Sequence, residues 1–237
     1  RLGWITGEQT LYRDTYRLLP GHVLTWKAGG ISTHCFWKLT DHAPRADGPA
    51  SFEAAVDRLE EALGAAVEGC LIADVPLGGF LSGGIDSSAV IALMKERARG
   101  PVRSFSIGFE EQEFDEAPFA RAVARHLGTD HTELYVDRKA AVQALHELPA
   151  VYDEPLADRS SIPTLLLSRL TRQHVTVALS GDGGDELFGG YDRYEKLARL
   201  LPALRAPAAL RRTLAALALA LHDSALRNGL IRVGEAD

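Results

Sequence analysis

The stretch Val75-Pro76-Leu77-Gly78-Gly79-Phe80-Leu81-Ser82-Gly83-Gly84-Ile85-Asp86-Ser87-Ser88 changes character twice. Residues 75–81 are an apolar run with the length of a buried strand, and the run from Ser88 through Lys95 reads as a helix, predicted over 87–98. Between them lies a turn with two glycines. A strand, a glycine-rich turn and a helix start, in that order, make an anion site. Glycine lets the backbone turn tightly and approach a ligand. The first amides of the helix lack partners, and the helix dipole there favours negative charge. Ser82, Ser87 and Ser88 add hydroxyl donors. Asp86 is the exception, because a carboxylate beside a phosphate needs a cation between them, and Mg²⁺ is the usual one. A plain βα turn with a capping Ser or Asp would use some of the same residues. The spacing also lacks the lysine of G-x-x-x-x-G-K-[ST] and is too short for G-x-G-x-x-G.

The surrounding chain alternates strand and helix. Strands are predicted at 102–109, 131–136 and 174–179, and helices at 115–127, near 138–148, near 163–172 and from 192 onward. Such alternation implies a parallel sheet with helices on both faces. Ligands of such sheets sit outside the carboxyl ends of the strands. The strand at 174–179 delivers a second glycine-rich loop, Ser180-Gly181-Asp182-Gly183-Gly184-Asp185-Glu186. A ligand-free βα loop is one reading of it, and helix capping is one reading of Asp185 and Glu186. Two such loops in one alternating chain, with Ile107-Gly108 at a third strand end, point instead to one shared site.

Ser82-Gly83-Gly84-Ile85-Asp86-Ser87 resembles the pyrophosphate-binding loop of the ATP pyrophosphatases. The stretch from Ala178 to Tyr191 closely resembles the signature of the glutamine-dependent asparagine synthetases. The similarity continues through residues 104–109 and 153–158 and covers most of residues 1–200. It implies an α/β fold of the adenine nucleotide alpha hydrolase-like, ATP pyrophosphatase type. It implies ATP and Mg²⁺ as cofactors, with aspartate activated as β-aspartyl-AMP and then attacked by ammonia. By resemblance Ser82, Gly83, Gly84, Asp86 and Ser87 hold the pyrophosphate end, and Leu81, Ile107, Ser180 and Gly181 the adenosine part. Asp86 and Asp185 are the expected Mg²⁺ pair, one from each loop. Asp182 stands at the acyl-adenylate step, either in forming it or in handling the ammonia proton. Two alternatives stay open: a relative that forms another amide, as β-lactam synthetases do, and an ATP-binding scaffold without turnover. Oligomeric state is equally open, a homodimer included.

Composition bounds the partners. The chain has 237 residues, 46% hydrophobic and 24% charged, with a net charge of −6 and no basic block, which argues against a nucleic-acid surface. No apolar run is long enough to span a bilayer. Cys35 and Cys70 have no metal or redox spacing and read as structural thiols of a reducing compartment, so a cytoplasmic location is expected.

Residues 1–39 have strand character at 15–19, 22–26 and 31–37, with turns at Pro20-Gly21 and Ala28-Gly29-Gly30. They resemble the last strands of a glutaminase domain, which supplies ammonia from the same full-length chain in this family. Residues 40–50 read as a linker. Residues 51–237 read as the synthetase-like domain, C-terminally incomplete. Ser51 is predicted to cap a helix whose Phe52, Val56, Leu59 and Leu63 form a core stripe.

Overall fold

The computed structural model describes residues 3–42, 51–111 and 115–204. Contacts divide the chain into two units, Arg1–Asp182 and Gly183–Asp237, and each is described by itself.

The first unit is built on a four-stranded sheet. In chain order the strands are β3 (Leu77–Phe80), β4 (Arg103–Phe109), β5 (Asp130–Val136) and β6 (Val177–Leu179). They lie in the order β5-β4-β3-β6, and every pairing is parallel. Parallel neighbours need crossover connections, and the helices provide them: α2 (Ile85–Arg97), α3 (Ala117–Leu127), α4 (Arg138–Val151) and α5 (Ser161–Arg172). The crossovers through α2 and α3 run toward β5. The one through α4 and α5 runs back across the sheet to β6, so right-handed connections put α4 and α5 on the opposite face. The parallel sheet with helices on both faces is the expected class, and the predicted elements recur with ends shifted by a few residues.

Two glycines leave room for large side chains at the middle of the sheet. A Cβ at Gly79 would lie 2.3 Å from Ile91 Cδ1 and 3.1 Å from Met94 Sδ, both on α2. A Cβ at Gly78, on the other face, would lie 2.7 Å from Phe105 Cε2. The main core lies on the α2 side and joins Val67, Leu81, Ile91, Met94, Val102, Ala120 and Ala124.

The helix α1 (Phe52–Cys70) departs from expectation. Ser51 does cap it, accepting from Ala54 N, but the predicted stripe is not core: Phe52 is 79% exposed, and Val56 and Leu59 are exposed as well. Its buried residues are Gly64 and Val67. The helix docks on α2 through its second half, where Gly64 leaves room for the Arg97 guanidinium, and Leu63 is the one stripe residue that reaches the core.

Residues 15–19 form no strand either. Tyr16 makes only an isolated bridge to Gln9. The strands β1 (His22–Lys27) and β2 (Gly30–Cys35) are a two-stranded antiparallel hairpin. Its turn residues Ala28 and Gly29 both have positive φ, as a two-residue hairpin loop requires. Residues 3–17 are tied to the turn after α4: Ala157 N donates to Gly3 O, and Arg17 pairs with Glu154.

On the α3 side, β4 and β5 carry polar side chains in register: Ser104 opposite His131, Ser106 opposite Glu133 and Gly108 opposite Tyr135. Ser104 Oγ lies 2.8 Å from His131 Nδ1 and 2.7 Å from Thr129 Oγ1, and Ser106 Oγ lies 3.2 Å from His131 Nε2. Ser, His and Glu are the residue types of a nucleophile triad. Here Ser106 and Glu133 share one ring nitrogen and Ser104 takes the other, but both serines are buried, so neither hydroxyl is open to a substrate. The network is a satisfied polar layer under a helix.

Burial pushes the His131 pKa below its ordinary 6.5, against the opposing pull of Glu133; the nearby Arg121 charge adds to the lowering. A depressed histidine is bound by more protons when unfolded, so its stabilising contribution is complete above about pH 6.5 and is lost as pH falls toward the folded value. The thermal unfolding midpoint should therefore drop between pH 7.5 and 5.5. That slope should be shallower in His131→Asn, measured by calorimetry across the same range.

Candidate functional site

The strand ends assemble the site. Because β3 is flanked by β4 and β6 and all three are parallel, their carboxyl ends lie side by side on one edge of the sheet. Leu81 follows β3, Ile107 lies in the last turn of side chains on β4, and Ser180 follows β6. The structure thus brings together three of the stretches that the sequence singled out.

The first loop is held by its own serines. Ser87 Oγ accepts from Ser82 N at 3.2 Å, lies 2.9 Å from Ser82 Oγ and donates to Gly84 O at 3.3 Å. Ser82 Oγ accepts from Gly84 N at 3.2 Å. Ser87 is buried and turned inward, so its hydroxyl supports the loop and its amide is what it can offer a ligand. Leu81 is committed in the same way: its side chain is in the core and its amide donates to Phe105 O, which leaves its carbonyl. Gly83 takes a left-handed φ of +84°, a conformation glycine adopts without steric cost. Gly84 is the N-cap of α2, extended and with no side-chain cap, so the amides of Ile85, Asp86 and Ser87 have no partner from the helix. Ser88 Oγ is buried without a protein partner. Asp86 is half-buried in the first turn of α2.

The second loop reaches the first through Gly181. A Cβ built there would lie 2.7 Å from Ser87 N, 3.0 Å from the Asp86 carbonyl carbon and 3.1 Å from Asp86 Cβ. The backbone of the second loop is therefore seated on the first turn of α2. Ser180 is half-buried and its Oγ accepts from Asp182 N at 3.3 Å, while Asp182 is exposed.

Asp185 belongs to the second unit. It lies on α6 (Gly184–Phe188), and its Oδ1 would clash with any Cβ at Gly190. Glu186 accepts from Tyr191 OH at 2.8 Å, a bond that pushes the Tyr191 hydroxyl pKa up. The helix α7 (Asp192–Leu204) follows, and Arg193 stacks 4.0 Å from the Tyr191 ring centroid. Among the described residues no three His, Cys, Asp or Glu side chains converge on a metal site. A magnesium ion that travels with a nucleotide needs only one or two protein carboxylates, because phosphates and water complete its shell. The residues of the first loop fit such a nucleotide: free amides at a helix start, an unpartnered buried hydroxyl and one carboxylate.

Two features were not legible in the sequence. Asp115, expected to cap α3, stands one residue before the N-cap Glu116: its Oδ1 accepts from Ala117 N and also from Phe109 N at the end of β4. The alternation His131, Glu133, Tyr135 signals a polar strand face but not the pairing of Arg121 with Glu133 and Tyr135. The segment Asp153-Glu154-Pro155 faces residues 3–17. With Trp4, Tyr12 and Leu145 it lines a separate cavity of about 770 Å³.

Residues 58–232 match the asparagine synthase family. The chain belongs to the asparagine synthase family. Asparagine synthetase (glutamine-hydrolysing) 1 of Bacillus subtilis is 38% identical over 161 residues, covering 68% of this chain and 25% of that protein. Asparagine synthetase (glutamine-hydrolysing) 3 of the same organism is 30% identical over 196 residues, covering 76% and 31%. The chain spans about a third of the length of the curated relatives it matches. Among solved structures, an NH₃-dependent NAD synthetase from Campylobacter jejuni aligns over 57% of this chain and 60% of its own, with a TM-score of 0.40 and 15% identity. Both loops fall inside the family match. No helix among the described residues is long and apolar enough to cross a membrane.

From sequence, a side chain at Gly181 is expected to fill space that a ligand needs. The structure changes the reason, because that space already holds the backbone of α2. Gly181→Val should therefore destabilise the protein by about 1–3 kcal/mol, the usual range for overpacking. The check is a denaturant midpoint without nucleotide, where a ligand-only role would leave the variant unchanged.

Proposed function

We propose that this chain is the synthetase part of an ATP-dependent asparagine synthetase. In this reading the side-chain carboxylate of aspartate attacks the α-phosphorus of ATP, pyrophosphate leaves, and β-aspartyl-AMP forms. Ammonia then attacks the acyl carbon, and AMP departs with the bonding electron pair as the new amide nitrogen loses a proton. A carboxylate by itself is a poor electrophile, and adenylation gives it a good leaving group. The protein's work is to hold, screen and aim the reactants.

The observation that carries the reading is the seating of Gly181 on Asp86 and Ser87, which supports reading the start of the second glycine-rich loop together with the first. The amides of Ile85, Asp86 and Ser87, presented by Gly84 at the helix start, and the hydroxyls of Ser82 and Ser88 would bind pyrophosphate oxygens at the positive end of α2. Gly83 supplies the turn and Ser87 the support. The Leu81 carbonyl, Ile107, Ser180 and Gly181 would line the adenosine side. Asp86 and Asp185 are the residues proposed to hold Mg²⁺, which supplies neutralisation of phosphate charge when bound. Asp182 would act at the acyl-adenylate step. Ammonia would come from a glutaminase domain of the full-length chain, of which residues 1–39 are the proposed last strands, joined by 40–50 to a synthetase domain from 51 onward. The cytoplasm is the proposed location.

The test is pyrophosphate release by the complete protein with ATP, ammonium and a panel of acids. Aspartate should support release together with AMP and asparagine. Release with another acid only would assign a different amide, and ATP binding without release would assign a scaffold. Asp86→Ala should lower release at least a hundredfold at saturating Mg²⁺ while the unfolding midpoint holds, since phosphate-site electrostatics carry effects on the order of 10²–10³.

Glutamine use needs an activated thiolate. The thiols of this chain are Cys35, at the end of β2, and Cys70, exposed at the end of α1. Asparagine formed by this chain alone should depend on ammonium, rise with pH as NH₃ becomes available, and ignore glutamine. Glutamate release from glutamine by the purified chain would overturn that assignment.

A further inference from the structure

Arg121 lies in neither loop, yet the first loop rests on the residues beside it. A Cβ at Gly83 would lie 2.6 Å from Ala120 N and 2.6 Å from the Phe119 carbonyl carbon, so the left-handed turn sits directly on the backbone of α3. That helix packs through Ala117, Ala120 and Ala124, all buried, with Val123 and Leu127 partly buried against the same core. Alanines permit close approach but offer little shape of their own. Asp115 ties the start of the helix to β4, and Arg121 adds a directional anchor in its middle. Its Nε donates to Glu133 Oε1 at 2.8 Å, and one terminal nitrogen donates to Glu133 Oε2 at 2.5 Å and to Tyr135 OH at 2.9 Å. The fork engages both carboxylate oxygens, a geometry that fixes direction as well as distance. The Glu133 side chain is only 16% exposed and sits against His131 and the buried serine layer of β4, so the anchor point is itself rigid.

We propose that Arg121 is a positioning residue for the phosphate loop. It pins α3 to β5 so that the Phe119–Ala120 backbone supports Gly83, and with it the loop amides, in the geometry a nucleotide phosphate requires. The proposal rests on the nucleotide reading of the first loop given above. An ordinary surface ion pair would contribute little to stability and nothing to the loop.

The experiment compares the complete wild-type protein with Arg121→Ala, Arg121→Lys and Glu133→Gln, at a temperature where circular dichroism shows each fully folded. ATP affinity is measured by calorimetry, and amide hydrogen exchange of residues 82–88 is measured without nucleotide. Arg121→Ala should weaken ATP binding about tenfold, within the range seen for residues that act through packing on a distant site. Arg121→Lys should recover only part of it, because an ammonium cannot engage both oxygens. Exchange at 82–88 should rise in each variant. If Arg121→Ala does not fold, the lysine and glutamine variants carry the same comparison. Unchanged affinity and exchange, with only a lower unfolding midpoint, would overturn the proposal and leave Arg121 a structural ion pair. Absence of ATP binding in the wild type would overturn the nucleotide reading, and the proposal with it. Equal binding in wild type and variants would overturn the proposal alone.

Discussion

The site depends on one backbone-to-backbone approach. Gly181 meets the first turn of α2 at a distance no side chain could occupy, with Ser87 N 2.7 Å from where a Cβ would be. That contact joins loops nearly a hundred residues apart in sequence. It is possible because β3 and β6 are parallel neighbours, so the chain leaves both strands at the same edge of the sheet. A different strand order would place the same two loops apart.

Small residues repeat this logic around the sheet. Gly79 admits Ile91 and Met94, Gly78 admits Phe105, and Gly83 rests on α3. Each trades side-chain packing for proximity, and each gives up conformational entropy of the unfolded chain in return. The offsetting terms lie nearby. Large apolar groups from α2 cover the sheet, the serine network of residues 82–87 stiffens the loop, and the Arg121–Glu133–Tyr135 cluster anchors the helix on which the loop stands. The loop is thus shaped from three sides before any ligand arrives, which is what preorganised electrostatic binding requires.

Family membership and geometry bear on different questions. The match over residues 58–232 says which kind of protein this is. The geometry says which atoms remain for a ligand once the protein has satisfied itself. The Ser87 hydroxyl and the Leu81 amide are consumed internally, whereas the Ser88 hydroxyl is not. Residues that a motif treats as equivalent therefore divide into those whose polar atoms are engaged within the protein and those whose polar atoms are not.

The sequence by itself determined the alternation of strands and helices, the parallel sheet, the two glycine-rich loops and the strand ends they follow. These depend on local signals: apolar runs of strand length, helical spacing, and glycine where the backbone must turn. It misplaced the core stripe of α1, because spacing reports an apolar face and not how far the neighbouring helix extends to cover it. It assigned a strand at 15–19 that has no partner beyond one bridge, since strand pairing is not local. Tertiary structure alone decided that Gly181 sits on α2, that Asp115 spans β4 and α3, and that Arg121 meets Glu133. Each of these joins groups whose distance in space depends on strand order and helix placement, and neither quantity is carried by any short stretch of the chain.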